Sequence, residues 1–127
     1  MGLSKNADSI RSAAYIKKRS SYDEVYKMKK DYQHVVRRAF RKKYPLKDET
    51  VRRVTGCGSK YFQSHLKRSW RNRYGYEWNG EPCHIDHIVP LWTAETKEDV
   101  ARLFHYKNLQ LLKPEDNYEK GGLIGSI

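Results

Sequence analysis

Apolar positions along this chain keep several different beats. Val25, Met28, Tyr32, Val35, Val36 and Phe40 recur at intervals of three and four, which predicts an amphipathic helix that starts at Ser20 or Ser21 and is stopped by Tyr44-Pro45. Its opposite face carries Lys27, Lys30, Arg37, Arg38 and Arg41, of which the three arginines are candidate contacts for nucleic acid. Asp48 can cap a short helix containing Val51 and Val54, ended by Gly56-Cys57-Gly58. Ser59 can cap a second, with Tyr61, Phe62, His65, Leu66 and Trp70 as its apolar stripe. Histidines at such positions, His34 and His65 here, are expected to be satisfied core residues. Residues 72–82 are rich in turn formers, with Asn79-Gly80 the strongest signal.

The period then changes. Cys83 to Leu91 combines β-branched apolar residues with His84, Asp86 and His87 and stops at Pro90, which predicts a strand. Ile85 and Ile88 are three apart, so if both are buried the pleat must break near Asp86 and His87. Thr96 is a predicted N-cap for a short helix holding Val100, Leu103 and Phe104, with Glu98 and Asp99 in its first turn. Asn108 to Leu112 reads as a second strand. Pro114 opens a last helix, ended by Gly121-Gly122.

These elements predict an α+β chain. Residues 1–19 lack a clear period and are expected to form a flexible or weakly helical basic arm, residues 20–75 a helical region, and residues 76–127 a strand, loop, strand and helix.

Charge sharpens that division. Of the 26 Lys and Arg residues, 21 fall in residues 1–75 against 6 Asp and Glu, a net charge of +15; residues 76–127 carry −4. A cationic region beside a mildly acidic unit is expected where one part grips a polyanion. Basic residues on three successive segments strengthen the point. The two short helices around Gly56 have the outline of a helix-turn-helix, in which Lys60, Gln63, Lys67, Arg68 and Arg71 would face nucleic acid; a helical hairpin that completes the core explains the same pattern. The two cysteines, Cys57 and Cys83, form no CxxC pair and are expected as buried thiols in a reducing compartment. No apolar run approaches a membrane span and no signal peptide is apparent, so an intracellular, cytoplasmic protein is expected.

The candidate chemistry lies in residues 76–127. Asp86 and His87 sit on the first predicted strand, Asn108 starts the second, and Asn117 lies in the first turn of the last helix. Across Trp78 to Gly122, the segments His84-Ile85-Asp86-His87-Ile88-Val89-Pro90-Leu91, His105-Tyr106-Lys107-Asn108-Leu109-Gln110 and Pro114-Glu115-Asp116-Asn117 with Lys120-Gly121 resemble the HNH endonucleases. Thr55-Gly56-Cys57-Gly58 and its helix look like the lead-in of small phage-type members. The resemblance implies a ββα-metal core (the His-Me finger) and hydrolysis of phosphodiester bonds in duplex DNA. It further implies that Asp86 and Asn117 are metal ligands, His87 the general base, and Asn108 the residue that holds the His-bearing loop. A monomer with one such site is expected to nick, and the free-standing homing enzymes among small members suggest a biology in a phage-infected cell.

The residue types suit these roles. One carboxylate and one amide oxygen make a sparse, hard-oxygen site for Mg²⁺ or Mn²⁺. Zinc is not expected, since Cys83 and His84 point apart in a strand. An imidazole near its ordinary pKa can take a proton from water at neutral pH. His84 has two open roles, a metal ligand or a structural residue paired with a backbone carbonyl, the second preferred; His105 with Tyr106 is expected to pack the loop. The competing functions are a DNA-binding protein that uses the strand, strand and helix as a structural clip, and an enzyme acting on RNA.

Overall fold

The computed structural model of the protein describes residues 12–41 and 46–124, with side chains from 22–41 and 46–121. Helix α1 spans Ser12–Arg41. It begins well before the predicted Ser20, because Ala13, Ala14 and the Lys-Lys-Arg run propagate a helix and no Gly or Pro interrupts them. The basic arm and the helix are thus continuous from Ser12. The expected stop at Tyr44-Pro45 and the first part of the arm lie outside the described residues. Val25, Val36, Ala39 and Phe40 face the core, as their spacing requires. His34 is exposed, which corrects the expectation of a core histidine.

Helices α2 (Asp48–Thr55) and α3 (Ser59–Tyr74) follow. The capping differs from expectation. Asp48 is the first residue of α2 rather than its cap, and its Oδ1 accepts the Ser59 N–H at 2.7 Å, so one carboxylate serves the start of the next helix. Gly58, not Ser59, occupies the N-cap position of α3. The turn closes through Gly56, whose φ of 83° is the left-handed conformation that ends α2.

Strand β1 (His84–His87) pairs antiparallel with β2 (Leu109–Leu112), with Ile85 opposite Leu111 and Asp86 opposite Gln110. The expected break in the pleat is absent. Ile88 lies beyond the strand and is 47% exposed, so nothing requires two isoleucines on one side. Asp86 and His87 point to opposite faces and are nevertheless both buried. The sheet is covered twice: α5 (Pro114–Ile124) reaches the Asp86 face, and Phe104 lies against the His87 ring.

Between the strands, α4 (Lys97–Leu103) starts with the predicted cap. Thr96 Oγ1 accepts the Asp99 N–H at 3.1 Å and Asp99 Oδ2 accepts the Thr96 N–H at 3.2 Å, a reciprocal capping box. Asn108 is not the first residue of β2 but the end of a single 3-10 turn, Tyr106–Asn108.

A two-stranded sheet of four-residue strands is marginal by itself. Here α3 supports it. Leu109 and Leu111 are fully buried, His65 Nε2 lies 2.9 Å from the Leu109 carbonyl, and Ser69 Oγ accepts the Leu111 N–H at 3.0 Å. The His65 ring is thereby satisfied within the fold, as expected. One cluster of buried side chains runs from Val25 through Phe62, Leu66 and Trp70 to Phe104 and Leu111, so helices and sheet share a core. No helix among the described residues is long and apolar enough to cross a membrane.

Candidate functional site

β1 and α5 bring residues from two distant parts of the chain to one place. Ile85, Asp86, His87, Pro90, Leu91, Trp92, Asn117, Lys120 and Gly121 line a cavity of about 220 Å³. The predicted ligands Asp86 and Asn117 and the predicted base His87 all contribute to its lining, although the His87 ring packs on Phe104 on the face of β1 opposite Asp86, and Asn108 supports the turn that follows. Asn108 Oδ1 accepts the Val89 N–H at 2.8 Å; its Nδ2 donates to the Val89 carbonyl at 3.2 Å and to the Leu103 carbonyl at 2.8 Å. Its own carbonyl accepts the Ile88 N–H at 2.8 Å. The turn after His87 is thus fastened by one amide, the position expected of a loop-holding residue.

Asp86 is enclosed by partners. Its Oδ2 accepts from Gln110 Nε2 at 2.9 Å, across the sheet, and from Lys120 Nζ at 2.8 Å. The same ammonium donates to the His87 carbonyl at 2.6 Å. Lys120 was missed as a site residue by sequence reasoning. The available signal was its spacing: three residues after Asn117 on a helix, it must share the Asn117 face.

Asn117 Nδ2 lies 2.9 Å from His84 Nδ1. An amide nitrogen can only donate, so Nδ1 is the acceptor and the His84 proton sits on Nε2. This contact turns the Asn117 carbonyl oxygen away from the imidazole. His84 also meets Tyr118 edge to face, with ring centroids 5.5 Å apart. Its partner is a side-chain amide rather than the backbone carbonyl expected from sequence.

His87 packs edge to face on Phe104, with centroids 4.6 Å apart, and its Nε2 is sealed without a hydrogen-bonding partner. Burial lowers its pKa to about 4, partly opposed by the Asp86 carboxylate and assisted by the Lys120 ammonium. The ring is neutral at pH 7. With Nε2 enclosed, Nδ1 is the nitrogen left to meet a water.

A second concavity, about 710 Å³, adjoins the first through Ile85 and Asn117. Gln33, Arg37, Arg38, Phe40 and Arg41 of α1 form one side, and Cys83, His84, Ile85 and Asn117 the other. Three of the basic residues predicted to meet nucleic acid are thereby placed beside the candidate site.

The remaining five are not. Lys60, Lys67, Arg68 and Arg71 are exposed on α3 and line neither concavity. Arg68 lies over the Tyr61 ring and Arg71 pairs with Glu77 at 3.2 Å. Gln63 is a correction: it is buried, and its amide donates to the Ala39 carbonyl at 2.8 Å, which joins α3 to α1 instead of facing a partner. His105 packs the loop as expected, accepting the Lys107 N–H on Nδ1 and lying against Tyr106.

Asp86 and Asn117, the two residues here that could offer side-chain oxygen to a hard divalent cation, both line this cavity; among the described residues no group of three or more His, Cys, Asp or Glu side chains is placed to hold a metal. Both cysteines are free, and burial raises their thiol pKa values above the ordinary range.

No protein-family model, curated protein or solved structure matches this chain.

Proposed function

We propose that the protein is a DNA endonuclease of the HNH type, with Asp86 and Asn117 as ligands of Mg²⁺ or Mn²⁺ and His87 as general base. The observation that carries this reading is the convergence of Asp86, His87 and Asn117 on one cavity, beside a groove lined by Arg37, Arg38 and Arg41. The resemblance noted in the sequence supplies the reaction class, and the geometry supports the assignment of parts.

Arg37, Arg38 and Arg41 bind backbone phosphates and set the duplex along α1. Asp86 and Asn117 would hold the divalent ion, which would supply charge neutralisation at the scissile phosphate and the leaving 3′ oxygen. His87 Nδ1 takes a proton from a water whose oxygen forms the new bond to phosphorus as the bond to the 3′ oxygen breaks. Asn108 acts through position alone, by fixing the Ile88-Val89 turn that follows the imidazole. His84 orients the Asn117 amide so that its carbonyl oxygen is free to serve as a ligand. With one site per chain, the expected product from a monomer is a nick.

A DNA-binding protein without cleavage is the second reading. The ion pair of Lys120 with Asp86 favours it, since a carboxylate already neutralised by an ammonium can serve as a structural tie. Supercoiled plasmid separates the two. Conversion to open circles with Mg²⁺ or Mn²⁺, abolished by EDTA and by His87→Ala, is expected. Retardation of DNA without nicking across metals and substrates would establish the clip instead.

A further inference from the structure

Among the described residues, Lys120 is held in a way that the exposed Lys97 is not. It lies within one turn of Asn117, so α5 presents an amide and an ammonium to β1 together. The Nζ stands 2.8 Å from Asp86 Oδ2, with side chains only 24% and 10% exposed, whereas Lys97 and Glu24 pair at 3.2 Å with both side chains more than half exposed. Its second bond, 2.6 Å to the His87 carbonyl, fixes it against the strand that carries the site.

The ammonium and a divalent cation require the same thing of Asp86. Both are hard, positively charged partners for carboxylate oxygen, and two cations on one carboxylate repel strongly where solvent screening is weak. We propose that Lys120 is a resident counter-cation: its ammonium neutralises Asp86 in the metal-free protein, and loading of Mg²⁺ or Mn²⁺ at Asp86 requires its displacement. This inference rests on the metal-site reading given above. Metal affinity in the free protein is then limited by exchange of one cation for another. The same contact explains how a buried carboxylate is tolerated before any ion arrives.

The test measures Mn²⁺ affinity directly, from the spin-resonance signal of free Mn²⁺ titrated with full-length protein. Lys120→Met is expected to bind Mn²⁺ about tenfold tighter or more than the wild type, as removal of a nearby like charge requires. Lys120→Arg, which keeps the charge, should stay near the wild-type value, and Asp86→Asn should lose binding. Without metal, Lys120→Met should melt below the wild type, and Mn²⁺ should raise its Tm by more. If Lys120→Met does not fold, Lys120→Gln is judged by the same criteria. Equal affinity in the neutral variant and the wild type, with binding still lost in Asp86→Asn, overturns the counter-cation and leaves the metal site standing. Binding that persists in Asp86→Asn, or is absent from both the wild type and the neutral variant, overturns both.

Discussion

The side chain of Asn108 grips the Val89 residue at both its N–H and its carbonyl, and adds a third bond to the Leu103 carbonyl. Replacement by alanine leaves the exposed Val89 groups to water and the part-buried Leu103 carbonyl without its partner. Asn108→Ala should lower unfolding free energy by about 1–2 kcal/mol, read by urea titration. Nicking should fall by roughly 10–100-fold, the usual effect of losing a residue that orients a site. A stability loss with full nicking would remove Asn108 from the machinery.

Burial of His87 predicts a defined pH dependence of stability. The folded-state pKa is about 4, below the ordinary value of 6.5, so the unfolded chain binds the proton first as pH falls. The neutral imidazole's contribution is fully present above pH 6.5, declines between 6.5 and 4, and changes no further below. The loss amounts to at most about 3 kcal/mol. Urea midpoints of wild type and His87→Gln, compared across this range, should converge as pH falls; parallel curves would mean the ring is not enclosed in solution.

Arg37 and Arg41 beside the site and Gln63 within the core should separate cleanly. Arg37→Ala and Arg41→Ala are each expected to weaken DNA binding and reduce the salt slope by about 1, with little effect on folding. Gln63→Ala should cost about 1–2 kcal/mol of stability and leave DNA affinity unchanged. Fluorescence anisotropy on a short duplex at several salt concentrations, with denaturation curves, reads both. A salt slope unchanged by both arginine variants would move the DNA path away from α1.

Two glycines share a backbone conformation and differ in surroundings. Gly56 and Gly75 both have φ of 83°, but a Cβ on Gly56 would meet the His105 ring at 2.9 Å, while one on Gly75 would meet nothing within 4 Å. Gly75→Ala should therefore cost about 1 kcal/mol from the backbone alone. Gly56→Ala should cost clearly more, because His105 must also shift. Equal losses would show that the ring yields freely.

Local signals were legible where one residue's neighbours in the chain decide its role. Thr96 announced its N-cap, and the β-branched residues stopped by Pro90 announced a strand. Distant partners were not legible. Asp48 caps α3 across eleven residues, and Gln63 turns inward because the Ala39 carbonyl of another helix needs a donor. The expected kink at Asp86 failed for a related reason. The break followed only if Ile85 and Ile88 were both buried, whereas the strand ends between them and Ile88 is exposed. At the site, the four residues singled out from sequence occupy neighbouring positions, yet the ammonium that holds Asp86 went unassigned. Its partner lies 34 residues away, and only the fold of α5 onto β1 makes the pair.

The exposed hydrogen-bonding edge of β2 is occupied by α3: His65 takes the Leu109 carbonyl and Ser69 takes the Leu111 amide. A short hairpin with that edge bare would invite pairing with another chain. The acid, imidazole and amide of the candidate site are consequently not a detachable cassette. Grafted onto a foreign scaffold, the segment from Trp78 onward would present sticky backbone and apolar Leu109 and Leu111 to solvent, so any transplant must carry α3 along as its built-in chaperone.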